Sequence, residues 1–171
     1  MTNDLSLDDI LLHRGDESAE VVNVDGNRVK LVIFSLGSEW YALYGKNITE
    51  ILPEDTLVFF VPGCPPSLPG VINLRGTIES VLHLGMVLKL SDNIESAKTI
   101  LLAKAENIRS GLCVNAVIDV IDVLESDIKP VADSLPENLQ DYVLGALVFS
   151  SKAVTLLNLE KILTDYQQGL G

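Results

Sequence analysis

Residues that usually do chemistry or cross-linking are scarce in this chain. There are two cysteines, Cys64 and Cys113, and two histidines, His13 and His83. None falls at a metal-ligand spacing such as C-x2-C or H-x3-H, so neither a metal site nor a disulfide framework is expected, and a cytoplasmic address fits. Aromatic residues are 5% of the chain, with one tryptophan, so the core must be aliphatic. Basic residues are also few. Twelve Lys and Arg against 24 Asp and Glu leave a net charge of −12. That balance disfavours a nucleic-acid backbone or an anionic membrane surface, both of which select clustered cations. No apolar run approaches the ~18 residues of a membrane span. The opening Thr2-Asn3-Asp4 has no basic or apolar region of a secretory signal. No G-x-S-x-G, Walker A or G-x-G-x-x-G occurs, so serine hydrolysis and nucleotide binding lack their visible signatures. The sequence assigns no catalytic residue, metal ligand or cofactor.

The chain is rich in aliphatic residues. Of 171 residues, 47% are hydrophobic, enough for one domain or two small subdomains sharing a core. The β-branched members favour strands. Residues 1–28 read as an acidic leader in which Ser6 to Leu12 forms a short capped helix. From there short strands are expected at Val29–Leu36, Trp40–Tyr44, Ile48–Leu52, Val71–Leu84, Thr99–Lys104, Leu112–Val123, Tyr142–Phe149 and Ala153–Leu157. Gly37-Ser38-Glu39 and the segment Asn107 to Gly111 read as hairpin turns. One helical turn is expected at Pro136–Leu139, and a terminal helix from Leu159 to Gln168, stopped by Gly169. Many short strands without alternating long helices indicate an all-β barrel or sandwich. No internal repeat stands out.

The stretch from Gly70 to Leu84 carries the most information. Read as one strand at a period of two, it places Ile72, Leu74, Ile78, Leu82 and Leu84 on one face. Asn73, Arg75, Thr77, Glu79 and His83 take the other face, which presents Arg75 to solvent or to a partner. Gly76 marks a bulge or a close backbone approach.

Asn73-Leu74-Arg75-Gly76, preceded by Gly70-Val71-Ile72, resembles the signature of the CheW family, adaptors of bacterial chemotaxis arrays. Leu31 to Gly37 with Trp40 to Leu43 resembles the family's opening hairpin. Ile48-Thr49-Glu50-Ile51, the proline-rich Val61 to Pro69, and Leu156 to Leu163 resemble further blocks in the same order. The resemblance implies two five-stranded, SH3-like β-barrel subdomains packed side by side over residues 29–163, with a short C-terminal helix and a tail at 164–171.

It also implies a function: a non-catalytic adaptor joining the cytoplasmic tips of chemoreceptors to the regulatory domain of a CheA-type histidine kinase. Such a protein works in the cytoplasm at receptor arrays, without membrane insertion or nucleic acid. By resemblance, Ile48, Glu50, Asn73 and Arg75 form the receptor-binding patch, with Glu50 and Arg75 as an ion pair. An ordinary surface salt bridge is the alternative for that pair. Ile128, Lys129 and Val131 fall near the kinase contact. The chain departs from the family pattern at His83, where an aspartate is usual, and at Gly85, where an arginine is. Lys129 stands in place of an arginine, and Asp133, Ser134 and Leu135 supply no aromatic after it. A second function class, a small-molecule enzyme or sensor using Cys64 and His83, has little else in the sequence to support it. Asp119 and Asp122 read as a solvated strand edge.

Overall fold

The computed structural model describes residues 26–90, 97–131, 133 and 135–169. The predicted leader helix lies outside them. Among the described residues ten strands form two sheets: β1 (Arg28–Leu36), β2 (Glu39–Tyr44), β3 (Ile48–Leu52), β4 (Gly70–Leu74), β5 (Thr77–His83), β6 (Thr99–Ala105), β7 (Ile108–Val114), β8 (Ala116–Leu124), β9 (Val143–Phe149) and β10 (Lys152–Leu157). The described residues also form the α-helices α1 (Leu84–Val87), α2 (Glu137–Gln140) and α3 (Leu159–Gln168). The terminal helix and the β3 boundaries match the sequence expectation, as does the all-β architecture.

One sheet has the order β8-β1-β2-β10-β9 and the other β3-β6-β7-β5-β4. Each closes into a five-stranded barrel by the same device. In the first, Lys129, just past β8, bridges Ala146 on β9; in the second, Phe59, past β3, bridges Val71 on β4. Every strand of the first sheet sends alternate residues inward, among them Leu31, Ile33, Leu147, Val154 and Leu156. Leu52, Ile72, Val81, Ile100 and Cys113 do the same in the second. The opposite faces of β1 and β6 meet in a third and largest cluster between the barrels, where Val32, Phe34 and Leu36 pack with Leu101, Ala103 and Leu112. That is why Leu31–Phe34 is continuously apolar: both of its faces are buried, and a period-two pattern disappears.

Three sequence expectations are corrected. The supposed strand Val71–Leu84 is a hairpin, with Leu74 paired to Thr77 and a two-residue turn at Arg75 and Gly76. A two-residue turn reverses the chain and breaks a parity count carried through it, so Ile78 is 62% exposed and Glu79 is buried. The run Leu112–Val123 divides at Asn115, where the chain crosses from the second barrel to the first. Asn115 ties the crossing down: its N–H donates to the Ser35 carbonyl at 3.0 Å, and its Oδ1 accepts from Gly37 N at 2.9 Å. Thirdly, the turn placed at 107–111 belongs to Glu106 and Asn107, because Ala105 pairs with Ile108.

The structure also shows an internal repeat. Residues 70–88 and 145–163 follow the same course: a glycine under the bridging segment, a strand, a two-residue turn with positive φ, a second strand and a capped helix. The turns are Arg75-Gly76 (φ 50° and 88°) and Ser150-Ser151 (φ 49° and 62°). The caps are His83, whose Nδ1 accepts from Met86 N at 3.4 Å, and Asn158, whose Oδ1 accepts from Lys161 N at 3.1 Å. Each barrel therefore takes β-strands from both halves of the chain.

Candidate functional site

The Arg75 turn sits where the second barrel lacks a backbone ladder. β3 and β4 are the two edges of that sheet, and the Arg75 side chain reaches across the seam between them. Its Nη2 donates to Glu50 Oε1 at 2.7 Å and its Nη1 to Oε2 at 3.1 Å. This is a two-point fork, the geometry that an arginine holds and a lysine does not. The turn has φ > 0 at both central residues, as a type I′ hairpin requires, and Gly76 takes that conformation without strain. A Cβ at Gly76 would meet nothing within 4 Å, so the glycine serves the turn and not the expected close approach. Asn73 Oδ1 accepts from Gly76 N at 2.9 Å and steadies the loop.

The Arg75 side chain remains 72% exposed while that of Glu50 is 33% exposed. The hydrogen bonds from Arg75 hold the Glu50 carboxyl below its ordinary range, and the same bonds raise Arg75. Ile48, two residues before Glu50, is half-buried against the core between the barrels. Thr49 between them is skipped in the register, and its Oγ1 donates to the Leu102 carbonyl at 3.1 Å. The structure thus brings Glu50, Asn73 and Arg75 together at one end of the second barrel, with Ile48 at its inner margin.

Ile128, Lys129 and Val131 lie on the other barrel, after a 3-10 turn at Glu125–Asp127. Ile128 packs on the first barrel's interior. Lys129 exchanges two backbone hydrogen bonds with Ala146, both 2.8 Å. Val131 lines a hollow of about 380 Å³ with Pro130, Leu135 and Val143. Beside it, an open groove of about 530 Å³ runs along the first barrel's seam past Ile121, Val123, Val148 and Phe149.

His83 is half-buried and caps α1. Cys64 stands half-exposed in the Pro/Gly loop, and Cys113 is buried, where desolvation pushes its thiol up to about 11. Asp119 is exposed and its Oδ1 accepts from Val120 N. Among the described residues no group of His, Cys, Asp and Glu could hold a metal ion, and no helix is long and apolar enough to cross a membrane. Sequence reasoning missed a second ion pair near the Arg75 turn, Glu79 with Arg109, because Glu79 was assigned to an exposed face and Arg109 to a turn. Counting strand parity separately on each side of Arg75-Gly76 would have revealed Glu79 as an inward residue.

The model of the CheW-like domain family matches residues 30–167. The chain belongs to that family. A chemotaxis protein CheW of Helicobacter pylori is 28% identical over 165 residues, covering 95% of this chain and 98% of that protein. A chemotaxis protein CheW of Bacillus subtilis is 32% identical over 114 residues, 65% of this chain and 69% of that protein. The crystal structure of the scaffolding protein TtCheW from Thermoanaerobacter tengcongensis shares the fold with a TM-score of 0.69 and 26% identity, over 80% of this chain and 92% of that one. In this CheW-like chain the signature tetrapeptide is therefore a hairpin turn that closes a barrel seam.

Proposed function

We propose that this chain is a non-catalytic adaptor that couples chemoreceptors to a CheA-type histidine kinase, in the cytoplasm at receptor arrays on the inner face of the membrane. The observation that carries the reading is the exposed Arg75 fork on Glu50, fixed on a rigid turn at one barrel end, in a chain of the CheW-like family. The receptor patch comprises Ile48, Glu50, Asn73 and Arg75, and the kinase contact Ile128, Lys129 and Val131. The two sets lie on different barrels, so both partners can be held at once, which raises their mutual effective concentration. Docking belongs to residues 29–163, with the leader at 1–28 and the tail at 164–171 outside it.

Binding assays with the soluble cytoplasmic fragment of a chemoreceptor and the regulatory domain of a CheA-type kinase from the same organism test this. The parent protein captures both together. Arg75→Glu loses the receptor fragment, keeps the kinase domain and keeps its melting temperature. Failure of the parent protein to bind either partner would defeat the adaptor reading.

A further inference from the structure

The end of the second barrel carries a second arginine whose support is unusual. Glu79 on β5 turns into the barrel, its side chain 7% exposed, and its Oε1 meets Nη2 of Arg109 at 2.9 Å. The parallel register of Val81 with Gly111 sets the two residues side by side on β5 and β7. The contact is close but poorly directed, for Glu79 Oε1 has no hydrogen bond of good geometry. At the equivalent place in the first barrel the register pairs Val154 with Trp40. The fold thus accepts an apolar pair at this position, and apolar replacement of a buried ion pair is commonly neutral or stabilising. Stability alone does not explain a carboxylate here.

The carboxylate does hold a guanidinium at the barrel mouth. Arg109 remains 46% exposed. One of its nitrogens faces Glu79, and the fork offers five N–H donors in all. Arg75, by contrast, already has both terminal nitrogens on Glu50. Strand geometry sets the two arginines about 12 Å apart on the same end of the barrel. On a chain of net charge −12, an under-paired, half-exposed arginine is where an acidic group meets attraction instead of repulsion.

We propose that Arg109, held in place by the buried carboxylate of Glu79, is a second basic anchor of the docking surface and takes a carboxylate side chain of the receptor segment that docks beside Arg75. The proposal rests on the receptor-docking reading of the Arg75 turn. Glu79 acts through Arg109 as a positioning residue.

Titration calorimetry with the full chain and the soluble receptor fragment, at about 50 and about 300 mM salt, tests it. Arg109→Ala weakens binding about tenfold at the lower salt, with a smaller loss at the higher, and Arg109→Lys recovers part of it. The double variant Glu79→Val with Arg109→Val, which copies the apolar character of the first barrel, keeps the parent melting temperature and loses as much affinity as Arg109→Ala. Parent-like binding by Arg109→Ala overturns the proposal, whether or not the double variant folds. If Arg75→Glu still loses the receptor in that experiment, the docking reading stands without it. If Arg75→Glu also binds like the parent, the docking reading fails and the proposal with it.

Discussion

Replacing Gly145 by alanine tests whether the first barrel is closed by the passage of one backbone over another. Gly145 has no positive φ, so alanine is compatible with its conformation, and only space is in question. A Cβ there would lie 2.7 Å from Ile128 Cγ2 and 2.8 Å from the Lys129 carbonyl oxygen. The methyl of Ile128 can rotate away; the carbonyl cannot move without lifting residues 128–130 off β9. That lift breaks the two 2.8 Å hydrogen bonds between Lys129 and Ala146. At about 1 kcal/mol net for each, the loss is about 2 kcal/mol. The reduced entropy of the unfolded chain returns about 0.4–1 kcal/mol. A net destabilisation of about 1–2 kcal/mol remains, a fall of about 2–8 °C in melting temperature for a chain of this size.

Two measurements check the mechanism as well as the magnitude. Thermal unfolding gives the total. Amide exchange locates it: the N–H groups of Lys129 and Ala146 exchange faster, while those of β1, buried on both faces, keep their protection. If the lifted Lys129 belongs to the proposed kinase contact, kinase binding weakens and receptor binding stays. An unchanged or higher melting temperature, with Ala146 still protected, would show that the seam tolerates the methyl and that the close approach does not hold the barrel shut.

The other expectations follow from the same geometry. Glu50→Arg combined with Arg75→Glu recovers receptor binding if the mutual geometry of the pair is what docks, and not if Arg75 meets the receptor directly; Arg75→Lys recovers only part, since the fork is lost. Because hydrogen bonding to Arg75 lowers the Glu50 pKa, the ionised pair persists above the ordinary carboxylate range and is lost as pH falls through the depressed value. A carboxyl-detected NMR titration should show a low Glu50 midpoint that moves up in Arg75→Ala, and an unmoved midpoint would contradict the cause given. Cys64→Ala with His83→Ala should leave signalling output intact in a chemotaxis assay; a silent pathway with a folded protein would point to chemistry at those residues.

Six strands are legible in the sequence. β1, β2, β3, β6, β9 and β10 are bounded by it to within a residue, because each is a short run of strand-forming residues with polar or turn residues at its ends. Two of the errors arise where two elements read as one strand. Leu112–Val123 looks like one strand because β7 and β8 are each apolar where they meet, and only Asn115 signals the crossing. The Gly70–Leu84 pattern failed for a different reason: its alternation is real within each strand, but the Arg75-Gly76 turn resets it. Arg75 is exposed on either reading, because a turn and a polar strand face both present it to solvent. Its partner Glu50 came from the family resemblance, since no local pattern links residues on opposite edges of an open sheet.

The internal repeat was missed because it is conserved in course and not in residue type, and its divergence is informative. Ser150 occupies the turn position that Arg75 holds. Asp119, paired with Ile33 as Glu50 is with Leu102, is the counterpart of Glu50. The same two positions form a forked ion pair across one seam. At the other seam Ser150 is too short to reach across, and Asp119 instead accepts from Val120 N. The first seam keeps an apolar groove of about 530 Å³ beside Val148, which is 75% exposed. Two barrels with one strand plan thus offer chemically opposite edges, one charged and directional, the other greasy and broad. A charged fork discriminates by geometry and is sensitive to salt, whereas an apolar groove binds by area and is not. A single chain carrying both can distinguish two unlike partners without a second domain.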